Sequence, residues 1–483
     1  MLDSFYANIS PTATTIIAIA IILFCGFAMT RITKLLKLPS VTAYIVVGII
    51  IGPFCFDLVP DNIIEGTDFI SDIALAFIAF SVGEFFKLKA LKKNAAKTVV
   101  ITLSEALLAS LVVFILTFLI LRLDIVLCVV LSALAAATAP TSTAMTIRHT
   151  KAKGNFVDTL LQVIALDDVL SLIAFSIALS IAGTFLSDGG TLSASTVLLP
   201  IVINIGVMAL GGFFGFFLKV LMPQRRTVDN RLIILISMLF LFCGICALLD
   251  ISPLLGCLAM GMVYINVTQD DKLFKQINYF SPPIMLIFFV RSGLNLRLNT
   301  LFTPTGNTGG VSIIMIALLY FIVRMIGKYC GAYLGASVMK ADKNVKNYLG
   351  LALIPQAGVA IGLAAMAART LGGEVGANLQ TIILASSILY ELIGPACAKL
   401  SLYLSGSISD KIEDIAPVVT VDSEGKPRRE VDVLIERIQK IRSEIPEREK
   451  HEPSPEEQAF TEAYEEQYEA MYELHRSRMR RRK

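Results

Sequence analysis

Asp167 and Asp168 stand side by side in an apolar stretch, Val157 to Gly183, that is long enough to cross a bilayer. One carboxylate at the centre of a membrane helix costs about 2.5–3.5 kcal/mol, and two neighbours also repel each other. Packing has no use for such a pair; binding of cations or protons does. Lys328, in the run MIGKYCGAYLGA, is the matching counter-ion, because a buried lysine beside an ionised aspartate leaves neither charge unpaired. Successive helical residues point about 100° apart, so one aspartate can face Lys328 while the other faces a cavity. Glu105, Arg324 and Glu391 also fall inside apolar stretches, and structural pairing is expected of all three. Arg291, in IFFVRSGLNL, fits either a snorkelling residue or part of a gate.

The cavity has its own signature. Ala136-Ala137-Thr138-Ala139-Pro140-Thr141-Ser142 and Leu353-Ile354-Pro355-Gln356-Ala357-Gly358 put proline deep inside two apolar segments. A mid-helix proline removes a backbone hydrogen bond and displaces a carbonyl that lipid cannot satisfy, so such breaks persist where they line a polar cavity. The two segments are the fifth and twelfth of thirteen candidate spans, near residues 12–30, 39–56, 67–86, 98–121, 126–147, 157–183, 195–222, 231–248, 251–267, 276–296, 310–338, 347–369 and 379–401. An offset of seven makes the breaks equivalent if residues 12–183 and 231–401 are two copies inserted in opposite orientations. Paired interrupted helices in inverted halves point to the substrate site of a secondary transporter.

Composition agrees. Of 483 residues, 55% are hydrophobic and 17% charged, which excludes an ordinary soluble domain and predicts an all-α polytopic membrane protein partnered by the lipid bilayer. Basic residues alternate sharply between loops: 20 in one set, including Lys87, Lys89, Lys92, Lys93 and Lys97, against Arg122, Arg297 and Arg369 in the other. This bias places the N-terminus outside and, after an odd number of spans, the C-terminus in the cytoplasm. The first span has no basic lead and no small-residue cleavage site, so it reads as a retained helix. Topology accounts for the basic residues and leaves nothing that calls for a nucleic-acid partner. The eight cysteines lie in or beside apolar spans and read as small fillers; Cys243 and Cys246 form a CxxC with no second pair or nearby histidine. Beyond residue 405 the chain turns charged, so residues 1–405 read as the membrane domain and 406–483 as a cytoplasmic tail. In the tail, Glu430 to Ile445 has an apolar stripe, and Ser454-Pro455-Glu456-Glu457 reads as the cap of a second helix ending in Arg480, Arg481, Arg482 and Lys483. The tail carries no GxGxxG unit and is too short for a nucleotide-binding domain.

With these residues in order, the chain resembles the bacterial monovalent cation:proton antiporter superfamily, in the branch of Nap-type and Kef-type systems, with Nha-type antiporters more distant. The matching segments are LPSVTAYIVVGIIIGP, ATAPTS, ALDD, FFVRSGLNL, IGK and IPQAGVAIGLA, spread over about residues 10 to 400. The resemblance implies Asp168 as the carboxylate that binds sodium or a similar monovalent cation, and Asp167 as the partner of Lys328. It also implies Thr138, with the Ala139 to Thr141 backbone, as part of a cation site where broken helices cross. It further implies a homodimer, an elevator-like movement, no cofactor beyond the transported ions, and a place in the inner membrane of a bacterium. An aspartate pair with a lysine resembles the electrogenic members. Ala139 stands where distant relatives have an aspartate, Arg291 departs from the pattern beside FFV, and the tail lacks the nucleotide-sensing domain of Kef-type systems.

The expected activity is exchange of protons for Na+, with Li+ or K+ as alternatives; a Kef-like potassium efflux protein, a cation channel and a sodium-coupled symporter remain open. An intramembrane aspartyl protease needs two carboxylates that converge on one water, whereas neighbours on one helix diverge by about 100°, so no enzyme is expected.

Overall fold

The computed structural model describes residues 6, 9–35, 39–88, 95–187, 194–222, 228–249, 251–302, 308–356 and 358–408. The whole tail expected beyond residue 408, with its two helices, lies outside the described residues. Every described element is helical. In chain order these are α1 (Pro11–Leu35), α2 (Ser40–Ile51), α3 (Asp61–Gly66), α4 (Asp68–Val82), α5 (Ala95–Phe114), α6 (Ile125–Ala136), α7 (Pro140–Thr150), α8 (Asn155–Ser187) and α9 (Ala194–Leu221). They continue with α10 (Val228–Leu248), α11 (Leu254–Thr268), α12 (Asp271–Phe280), α13 (Pro282–Leu294), α14 (Leu298–Leu301), α15 (Ile313–Val338), α16 (Lys343–Ala352), α17 (Gly358–Leu371) and α18 (Gly373–Leu404).

Side-chain placement is that of a membrane protein. On α5, Thr98, Thr102 and Glu105 are buried while Leu103, Leu107 and Leu111 face outward, because lipid accepts leucine and rejects unpaired polar groups. Among the described residues, seven helices are long and apolar enough to cross a membrane, eight if α12 and α13, bent by 53°, count as one, and α2, α6, α11 and α17 are shorter apolar helices. The chain is an all-α polytopic membrane protein. The expected spans are cut where the sequence breaks helices. The fourth ends in a π-helical turn over Ile115–Ile120, and the tenth splits at Ser281-Pro282-Pro283, a double proline that sequence reading passed over. The fifth and twelfth are not kinked but fully interrupted. Pro140 opens α7, where its missing N–H costs nothing, and Pro355 lies in the extended link between α16 and α17.

Two bundles are distinguishable by their packing. In one, α15 packs along α5, α8 along α6, and α18 against α15, α16 and α17; in the other, α9 packs along α11, α2 along α13, and α4 against α11. Glycine sets these distances. Gly327, Gly331 and Gly335 form a four-residue stripe on α15, and a Cβ at Gly331 would come to 2.7 Å from Ser104 O, so only glycine lets α15 lie directly on α5. The bundles meet chiefly along α8–α9 and along α4–α17.

Candidate cation and proton site

The site forms where the two interrupted helices cross. After α6 the chain extends at Ala137 (φ −62°, ψ 133°), and Ala139 N donates to Pro355 O at 2.9 Å, joining the two links directly. Thr143 Oγ1 donates to Ala352 O at 3.1 Å, and Gln356 Nε2 donates to Leu134 O at 2.7 Å. The C-terminal ends of α6 and α16 therefore point their free carbonyls into the protein interior, each carrying partial negative charge.

Two basic residues of α15, one turn apart, meet those carbonyls. Arg324 is wholly buried; its Nε donates to Ala135 O and one terminal nitrogen to Ile354 O, both at 2.9 Å, and the other nitrogen donates to Ala137 O. Its guanidinium also lies over the Tyr390 ring, 4.7 Å from the centroid. Arg324 thus pairs with backbone and an aromatic face, not with an acid. Lys328 Nζ donates to Ala136 O, to Thr138 Oγ1 at 3.0 Å and to Asp167 Oδ2 at 3.0 Å. Those bonds use all three donors of an ammonium.

A third carboxylate crowds the same lysine. Glu105 Oε2 of α5 lies 2.6 Å from Lys328 Nζ, and both side chains are 0% exposed. The contact is an ion pair, and apart from it the two Glu105 oxygens meet no hydrogen-bond donor of good geometry among the described residues. Asp168 is 3% exposed and is not among the groups bonded to Lys328, and its Oδ1, like Oδ1 of Asp167, is buried without a partner among the described residues. Asp167, Glu105, Thr138 and Lys328 are thus brought together, with Asp168 beside them on α8. Ala139, Pro140 and Thr141 follow Thr138 into the first turn of α7, and Pro355, Gln356 and Gly358 lead into α17.

The remaining charges lie elsewhere. Glu391 of α18 is buried, with no charged group acting on it among the described residues, contrary to the pairing expected of it. One turn on, Gly394 packs on Pro355, so backbone rather than a basic side chain covers that part of α18. Arg291 does not snorkel: it is buried and bonds Ile64 O at 2.9 Å, Ser71 Oγ at 3.0 Å and the Asp68 carboxylate, stapling α13 to α3 and α4. Sequence reading missed Asn204, a lone amide in apolar α9 that is 8% exposed. Its one signal is an asparagine inside an otherwise apolar run, VLLPIVINIGVMALGG.

The crossing of broken helices over a buried carboxylate–lysine cluster agrees with the family match, which makes the chain a member of the monovalent cation:proton antiporter superfamily. Residues 19–397 match the model of the transmembrane sodium/hydrogen exchanger family, and the chain belongs to that family. Similar proteins include the ammonium/proton antiporter subunit AmhT of Alkalihalophilus pseudofirmus, 21% identical over 74% of this chain and 87% of that protein. Another is the Na+/H+-K+ antiporter GerN of Bacillus cereus, 24% identical over 75% of this chain and 89% of that one. In fold, the structure of the sodium proton antiporter MjNhaP1 from Methanocaldococcus jannaschii is similar with a TM-score of 0.65, covering 81% of this chain and 98% of that chain at 19% identity.

Proposed function

We propose that the protein exchanges protons for a monovalent cation, with sodium the first candidate and lithium and potassium the alternatives, and that Asp168 is the carboxylate both ions use. The observation that carries this reading is the charge balance of the cluster. Asp167, Asp168 and Glu105 are all buried, and among the described residues Lys328 is the one cation bonded to this group of acids, because Arg324 is committed to carbonyls. One ammonium balances one carboxylate, and charge left over in the interior must be neutralised by a proton or a cation. The orphaned Oδ1 of Asp168 is a free acceptor for either. If protons and cations compete for one carboxylate, neither crosses without the other returning.

Asp167, released from or returned to Lys328 during the cycle, supplies a second proton per cation and one net charge per turnover. Each charge moved through 100 mV contributes about 2.3 kcal/mol. Thr138 and the 139–141 backbone complete the cation site, with Ala139 offering no second acid. The two interrupted links, one in each half of the sequence, support inverted repeats. Thirteen crossings follow if α6 with α7, α12 with α13, and α16 with α17 each complete one span. The loop charges support an external N-terminus, a cytoplasmic tail from about residue 406 and a bacterial inner-membrane location, and the family resemblance supports a homodimer. The separate packing of the two bundles supports an elevator-like movement of one against the other.

Reconstituted into liposomes with an internal pH dye and a potential dye, the wild type is expected to give proton movement and a membrane potential on addition of sodium, lithium or potassium, and Asp168→Asn neither. Unaltered exchange by Asp168→Asn sinks the assignment. Exchange without a potential removes its electrogenic part alone.

A further inference from the structure

A cavity of about 780 Å³ opens between the bundles, with Asp72 and Arg369 at its rim and Leu179 of α8 and Leu254 of α11 deeper in. With the orientation proposed above, this is the external side, since the first turn of α4 and the last turn of α17 both end there. A second cavity of about 30 Å³ shares Leu179, Ser252, Leu254 and Met366 with it and continues along α8 to Leu172, one turn from Asp168. About 30 Å³ holds roughly two waters, so a cation leaving the large cavity must shed most of its hydration shell there, and something must replace the lost oxygens.

Three polar side chains line this narrow step: Ser176 on α8, Ser252 before α11, and Asn204 on α9. Asn204 is buried, accepts from Ser176 Oγ at 3.5 Å through Oδ1, and its Nδ2 has no hydrogen-bond partner among the described residues. An orphaned amide in an apolar helix is costly. Exchanging the amide's oxygen and nitrogen keeps a hydrogen bond to the Ser176 hydroxyl, which can donate or accept, and frees an oxygen for a cation in the step. α9 is otherwise apolar through this stretch, so no neighbour on that helix can substitute.

We propose that Asn204, with Ser176 and Ser252, forms a transient dehydration site for the monovalent cation on the external route to Asp168. Asn204 is therefore a binding residue on one side of the cycle only. The proposal rests on the antiport reading and its orientation.

The test measures apparent KM for Na+ from each side, using right-side-out and everted membrane vesicles carrying the full chain. Asn204→Leu, close in volume, is expected to raise KM on the external side by about fivefold to tenfold, the worth of one lost polar contact, with the cytoplasmic-side KM unchanged. Asn204→Ser, which keeps an oxygen, stays near wild type. Ser252→Ala, which removes one hydroxyl from the connecting segment before α11, shifts the external KM the same way by less. Equal shifts on both sides for these variants, or none, overturn the dehydration site while leaving antiport intact. A wild type without any cation-driven proton movement overturns the antiport reading, and the site with it.

Discussion

Lys328 and Arg324 occupy successive turns of α15 but perform different work. Arg324 supplies a planar fork to three carbonyls from both interrupted helices, a geometry lysine cannot copy. Arg324→Lys is expected to leave at least one buried carbonyl unsatisfied and to destabilise the fold by about 1–3 kcal/mol. A lowered thermal midpoint of the detergent-solubilised protein would register this; an unchanged midpoint means the crossing is held by Ala139 and Pro355 without the arginine. The aspartate pair and Lys328 were legible in the sequence because an unpaired charge in lipid demands a partner, and few partners are available. Glu105 was visible as a buried acid but not as a neighbour of Lys328, because the pairing joins helices more than 200 residues apart in sequence. The role of Arg324 was hidden for a different reason: its partners are carbonyls, which every residue has.

At the level of elements, the breaks at Thr138–Pro140 and at Pro355 could be read directly, since proline deep in an apolar run has few structural outcomes. What could not be read was how an interrupted helix survives at that depth. That depends on whether something satisfies the freed groups, and here the opposite link and two basic side chains do so. The close approach of α15 to α5 was signalled by small residues around Lys328, although their partner helix was not. Gly331 is the tightest point of that approach, where an added Cβ would meet both Ser104 O and the backbone of Glu105. Gly331→Val is expected to push α15 off α5, cost about 1–3 kcal/mol as overpacking does, and lower exchange by moving Glu105 away from Lys328. Gly206→Ala on α9, where an added Cβ meets nothing within 4 Å, is the control and is expected to be neutral or slightly stabilising. If the two substitutions lower the thermal midpoint and the exchange rate equally, close packing at Gly331 is not what positions the cluster.

For the whole molecule, transport by an elevator-like movement requires the seam between α4 and α17 to slide. That seam is mostly apolar: Leu75 of α4 packs on Gly362 and Ile78 on Gly358. Among the described residues one ion pair crosses it at the rim of the large cavity, Arg369 to Asp72 at 2.6 Å, with both side chains more than a third exposed. An exposed pair of this kind is worth at most about 1 kcal/mol, so it can bias the seam without locking it. A covalent link would lock it. A Cβ at position 362 would lie 2.7 Å from Leu75 Cγ, and the Cβ of residue 75 is one bond from that atom, which brings the two Cβ atoms within reach of a disulfide. In a chain with its eight native cysteines replaced by alanine, Leu75→Cys with Gly362→Cys is therefore expected to cross-link on mild oxidation. Exchange should then stop and return when reductant is added, while the single Leu75→Cys variant, which only removes bulk opposite Gly362, is unaffected by oxidant or reductant. A cross-linked protein that exchanges at the rate of its reduced form would mean that α4 and α17 keep their register through the cycle, and the movement would have to be sought within one bundle, at the crossing of the two broken helices.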